Sequence, residues 1–135
     1  MATRNMEDYL EAIWDLQNNK GYVKSKDIAD KLDVKRPSVS EMTKKLKEKD
    51  FICYEKYGGI TFTEKGRKLA REVKKRHDLF VDFLKIIGVG EKNSQKDACK
   101  IEHDVSPETV ECLFNFVKTV RQFPLNDKLR NKDKK

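Results

Sequence analysis

Residues 51–63 read FICYEKYGGITFT, and they break the pattern on either side of them. Before and after this stretch, apolar residues recur every three or four positions, the spacing of helices with one buried face. Within it, β-branched and aromatic residues crowd around Gly58-Gly59, which predicts two short strands joined at a glycine turn. A lone hairpin is at best marginally stable in water, so it must pack on its helical neighbours. What precedes and follows it therefore decides the fold.

Three helices precede it. NMEDYLEAIWDLQN places Met6, Leu10, Ile13 and Trp14 at helical spacing, with Asn5 as the expected cap and Glu7 and Asp8 in the first turn. Ser25 is the expected cap of a short second helix carrying Ile28, Ala29 and Leu32. Asp33-Val34-Lys35 makes a tight turn, and Pro37, tolerated only in a first turn, fixes the start of the third helix. Its buried face is expected to hold Val39, Met42, Leu46 and Phe51.

Three helices follow. Thr63 caps a long one with Leu69, Val73, Leu79 or Phe80, Phe83, Leu84 and Ile87 as its stripe, stopped by Gly88 and Gly90. Ser94 with Asp97 three later is expected to open a short one. Ser106-Pro107 opens the last, with Val110, Leu113, Phe114 and Val117 inward and Phe123-Pro124 at its end; Leu125 and Leu129 beyond it are candidates for packing. The fold class is thus mostly α: a winged helix-turn-helix domain at residues 1–63, then an all-helical domain at 64–135. The second half has more apolar residues than a lone short bundle needs, and the surplus predicts a homodimer interface.

The charge is uneven. The chain carries +7 overall, but between Lys35 and Arg76 stand 14 Lys and Arg against 6 Asp and Glu. A basic segment of this kind suits a polyanion, with double-stranded DNA first. In a helix-turn-helix the N-terminal residues of the second helix meet base edges in the major groove. Here these are Lys35, Arg36, Pro37, Ser38, Ser40 and Lys44, with Glu41 on the same face, while the hairpin, with Lys56, Tyr57 and Gly58-Gly59, is expected along the DNA backbone or in the minor groove. Arg and Ser suit base edges and Lys suits phosphate. A dimer would read a palindrome-like operator. Mean hydropathy is −0.82 and no apolar run reaches membrane length, so no membrane role is expected. The first ten residues lack a signal-peptide core, and three scattered cysteines (Cys53, Cys99, Cys112) make no disulfide framework, which fits the cytoplasm.

A second chemistry lies in ACKIEHD. On a helix, Cys99, Glu102 and His103 share one face. Asp8 and Glu11 share another, on the first helix, and His77 lies amid apolar residues of the long one. These six oxygen, nitrogen and sulphur donors would suit a first-row divalent ion. Each has an ordinary reading too: first-turn acids, a satisfied histidine, a small core cysteine, a solvated Glu-His pair. Spacing cannot show that three helices converge, so the residues alone leave a metal site and a plain polar surface equally open. A metal-independent winged-helix regulator and a redox regulator working through Cys99 are the alternatives. There is no nucleophile-base motif and no glycine-rich phosphate loop, so no enzyme is expected.

From Met6 to Ser106 the chain resembles the DtxR/MntR family of metal-dependent transcriptional repressors, in its two-domain MntR-like type. The segments that carry the likeness are MEDYLEAI, SKDIADKLDV, PSVSEMTKKL, YEKYGGITFTEKG, RHDLFVDFLKIIGV and IEHDVS. The resemblance implies a repressor of metal uptake whose metal site couples the DNA-binding and dimerisation domains. It implies Asp8, Glu11, His77, Glu102 and His103 as ligands. At the sixth position manganese-type members carry Glu and iron-type members carry Cys, as Cys99 does here. Iron-type members, in turn, place Met where Asp8 stands, an acid where Val81 stands and a histidine at Gln95, so their ancillary site is not expected. The hybrid set implies Fe²⁺ or Mn²⁺, leaning slightly to iron, with Co²⁺ and Zn²⁺ accepted in vitro.

Overall fold

The computed structural model describes residues 4–55 and 59–122. The chain divides into two compact units, Met1–Lys74 and Lys75–Lys135.

The first unit holds α1 (Arg4–Lys20), α2 (Ser25–Leu32), α3 (Arg36–Glu48), strands β1 (Ile52–Tyr54) and β2 (Ile60–Phe62), and the opening turns of α4 (Glu64–Ile86). The helix, helix-turn-helix, hairpin order is the one the change of period predicts. The strands pair antiparallel with Cys53 opposite Thr61, and Glu55 N–H donates to Gly59 O at 2.7 Å, closing the ladder. Ile60 N–H donates to Val23 O at 2.8 Å, so the loop between α1 and α2 ties β2 at its turn end. One apolar cluster joins Leu10 and Ile13 of α1, Ile28 of α2, Val39 and Leu46 of α3, and Ile52 and Ile60 of the strands. Met42 is only partly buried, and Thr43 takes the inward place beside Val39 and Leu46, its hydroxyl donating to Ser40 O at 3.1 Å.

Local chemistry sets the element ends. Asn5 lies inside α1 rather than capping it, because the helix already includes Arg4. Ser25 is the first helical residue of α2, not its cap: Lys24 takes the extended cap conformation, and Asp27 reaches back to accept Lys24 N–H at 3.1 Å. The Lys20 ammonium, 2.9 Å from Asp27, is the main reason that the Asp27 carboxyl lies below its ordinary range. The turn into α3 uses Asp33 in the left-handed region at φ 55°, which a short polar side chain tolerates. Thr63 behaves as expected: its hydroxyl accepts Gly66 N–H at 3.0 Å and donates to Asp50 O at 2.6 Å. Thr63 N–H donates to Phe51 O at 3.1 Å, drawing that carbonyl across the first turn of α4. Only Gly66 fits beneath it, since a Cβ there would sit 1.7 Å from Phe51 O.

The second unit contains the remainder of α4, α5 (Glu91–Ile101) and α6 (Pro107–Gln122). Leu79, Ile86, Val117 and Val120 form one apolar cluster and Phe80, Val81 and Ala98 another, with Val110 and Leu113 packed against both. Asp82 and Arg121 pair between α4 and α6. Gly88, at φ 104°, ends α4. α5 begins three residues before the expected Ser94 start, because Gly90 caps it with extended backbone alone. Ser94 is instead fully buried, its hydroxyl donating to Val89 O at 3.1 Å. Ser106 does cap α6, accepting Thr109 N–H at 3.2 Å. Two apolar residues expected inside lie outward: Ile87, whose place Ile86 takes, and Phe114, which is 55% exposed. Phe116 on α6 is 47% exposed as well. Phe123, Pro124, Leu125 and Leu129 lie outside the described residues.

Candidate metal centre and nucleic-acid interface

His77 and Glu102 meet in the interior of the second unit. His77 faces inward from α4, and its Nδ1 is 2.8 Å from Glu102 Oε2. Glu102 follows the last residue of α5 and keeps helical backbone, φ −62° and ψ −27°, so its side chain still lies on the Cys99 face. His103 falls in the turn beyond, where the expected helical register no longer applies. Its ring is nevertheless buried, with Nε2 3.2 Å from Glu102 Oε1. Cys99 Sγ, a Glu102 carboxylate oxygen and a His103 ring nitrogen lie within 4.8 Å of one another. Four of the six expected donors, His77, Cys99, Glu102 and His103, thus gather around one carboxylate. Asp8 and Glu11 stand on α1 in the first unit, Asp8 half-buried and Glu11 9% exposed.

Glu102 is 1% exposed, and its Oε1, though 3.2 Å from His103 Nε2, makes no well-aligned hydrogen bond within the described residues. A buried carboxylate oxygen left so carries a heavy desolvation cost, which a cation would offset. Two imidazoles, a carboxylate and a thiol are all ligands of first-row divalent ions. The residues therefore fit a transition metal, with Glu102 at the centre of the donor set.

The sequence missed one member of this group. Gln95, on the second turn of α5, places Oε1 2.9 Å from His77 Nε2. No spacing rule points to an exposed glutamine; only the depth of His77 could have prompted a search for the partner of its second nitrogen. Val81 belongs to the apolar cluster with Phe80 and Ala98, so no donor stands at that position.

On the first unit, Lys35, Arg36, Pro37, Ser38 and Ser40 at the start of α3, and Lys44 further along it, are all exposed. Lys35 caps the helix with extended backbone, and Ser38 N–H donates to Lys35 O at 3.0 Å. The partial positive charge of a helix start adds to these cations. Glu41 pairs with Lys45 at 3.8 Å, along the helix. At the other end of α3, Lys47 Nζ lies 5.0 Å from the centre of the Tyr54 ring and braces the helix against β1. Arg67, Lys68 and Arg71 of α4 are exposed as well. Lys56 and Tyr57 lie outside the described residues. Among the described residues no helix is long and apolar enough to cross a membrane.

Comparison with known proteins accounts for both halves. Residues 1–60 match the iron dependent repressor N-terminal DNA binding domain, and residues 63–129 match the iron dependent repressor metal binding and dimerisation domain. The chain belongs to the iron-dependent repressor family. An HTH-type transcriptional regulator MntR of Bacillus subtilis (strain 168) is 39% identical to this family member over 135 residues, all of this chain and 92% of that one. Another MntR, of Shouchella clausii (strain KSM-K16), is 42% identical over 87% of this chain and 82% of its own. The solved structure of the manganese regulator SloR is 36% identical, with a TM-score of 0.76. It matches 87% of this family member, which spans only 55% of the SloR chain. Iron-dependent repressors are DNA-binding regulators rather than enzymes, and the metal and DNA chemistries found above are the two that the family combines.

Proposed function

We propose that this chain is a cytoplasmic, homodimeric transcriptional repressor, activated by a divalent metal ion and controlling metal uptake. The observation that carries the reading is Glu102, a buried carboxylate 2.8 Å from one imidazole and 3.2 Å from another, with a thiol in reach. In this reading residues 1–63 read DNA and residues 64–135 bind metal and dimerise. Asp8, Glu11, His77, Cys99, Glu102 and His103 are the ligands; when bound, the ion supplies positive charge that balances the carboxylates. Asp8 and Glu11 belong to the DNA-reading half and the other four to the dimerising half, so the shared ligand set couples the two. Lys35, Arg36, Ser38, Ser40 and Lys44 engage a palindrome-like site, Pro37 setting the start of their helix, with Lys56 and Tyr57 on the backbone. Exposed Phe114 and Phe116 on α6 supply the apolar face of the homodimer.

Manganese is the favoured ion, because relatives named MntR and a manganese regulator stand among the similar proteins described above. Cys99 adjusts that preference: a thiolate favours Fe²⁺, Co²⁺ and Zn²⁺ over Mn²⁺ more than a carboxylate would. Cys99→Glu should therefore raise the ratio of Mn²⁺ to Co²⁺ affinity. An unchanged ratio in competition titrations would remove Cys99 from the ligand set.

The experiment for the whole reading starts from duplexes selected out of a random pool in Mn²⁺. Gel shifts on the selected site with Mn²⁺, and then with chelator, should differ in affinity by roughly 5- to 150-fold, the usual span of allosteric coupling. Equal affinity in the two conditions would remove the metal switch and leave a metal-independent regulator.

A further inference from the structure

A line of polar contacts in the second unit runs inward from solvent to His77. Lys85 Nζ lies 2.8 Å from Glu91 Oε2 at the start of α5. Glu91 also hydrogen-bonds the side chain of Gln95, one turn further along. A carboxylate only accepts, so Gln95 must turn its amide NH₂ toward Glu91. That leaves Gln95 Oε1 facing His77 Nε2, at 2.9 Å. An amide oxygen also only accepts, so in this contact His77 Nε2–H donates. The opposite nitrogen, Nδ1, faces Glu102 Oε2 at 2.8 Å, where it too can only donate, so a cation bound on that side takes the place of the proton.

We propose that Gln95 is a positioning residue: anchored to Glu91, it holds the His77 ring through Nε2 and so presents Nδ1, on the Glu102 side, to a divalent cation. The inference rests on the metal-centre reading above and deepens it. A histidine ligand is set in orientation and tautomer by the bond its other nitrogen makes. The anchoring also explains why an exposed glutamine serves. Its reach is set by α5, and the Lys85–Glu91 pair holds the far end of its amide.

The test uses the full chain with Zn²⁺, a diamagnetic probe. Long-range ¹H–¹⁵N correlations should show Zn²⁺ on His77 Nδ1 and the proton on Nε2, and the chain has only two histidines to assign. Gln95→Leu should weaken Zn²⁺ binding about 10- to 100-fold, as loss of an orienting partner does, while Gln95→Glu, which keeps the acceptor, should hold affinity within about threefold. Zn²⁺ on Nε2, or a Gln95→Leu variant as tight as the parent, would overturn the role of Gln95 and leave the metal centre standing. Equal losses in both variants would assign Gln95 to packing and overturn the role too. Absence of any Zn²⁺ effect on His77 in the parent would overturn the metal centre itself.

Discussion

Glu102→Gln is expected to abolish the metal response. The substitution keeps the shape of the side chain and replaces a charged oxygen donor with a neutral amide, at the one group that approaches both His77 and His103. Removing an outer partner of a metal ligand costs about 10- to 100-fold in affinity, so removing the central ligand should cost about 100-fold or more. Isothermal titration with Mn²⁺, or competition against a chelator, reads this directly. DNA binding by the variant should match that of the metal-free parent whether or not Mn²⁺ is added. The helices should persist, because the apolar clusters of the second unit do not involve Glu102. Affinity within threefold of the parent would show that the ion, if any, binds elsewhere.

Gly66→Ala is expected to damage the first unit more than any other single methyl group. The added carbon would sit 1.7 Å from Phe51 O, 2.5 Å from Phe51 C and 2.9 Å from its Cα, all backbone atoms. No rotamer relieves such a clash. The strand entry must move away from α4, breaking the Thr63–Phe51 bond and the Thr63–Asp50 bond together. Overpacking of a tight site costs about 1–3 kcal/mol, occasionally more, and the upper end applies here because the obstacle is main chain. The thermal midpoint should fall by roughly 10 °C. A variant as stable as the parent would mean that the close approach at Gly66 is not a feature of the folded protein.

Much of the fold can be read from the chain because several positions admit one solution. Pro37 fits only a first turn, Thr63 and Ser106 each stand directly before a helix, and the glycines after Ile87 stop one. Where two caps compete, sequence does not choose. Ser25 is the better capping residue by type, yet Asp27 satisfies Lys24 N–H from inside the helix. Ser94 looks like a cap, yet Gly90 serves with no side chain at all, and Ser94 is spent on a carbonyl. Periodicity puts Phe114 inward because it assumes that a helix has one apolar face, whereas α6 has apolar residues on two, and it cannot tell Ile87 from Ile86 at the end of α4. The donors were legible as residue types. The depth of Glu102 was not, since it follows from the packing of α5 against α4, and neither was Gln95, which acts only through the far nitrogen of His77.

The hairpin is fastened twice over at the turn end of its strands, by Val23 O under Ile60 and by Lys47 against Tyr54. One tie runs to the loop between α1 and α2 and the other to α3, so the loss of one leaves the other in place. The pair works as a safety catch: severing either should cost the strands little order, and only cutting both should let the small sheet swing away from its helices.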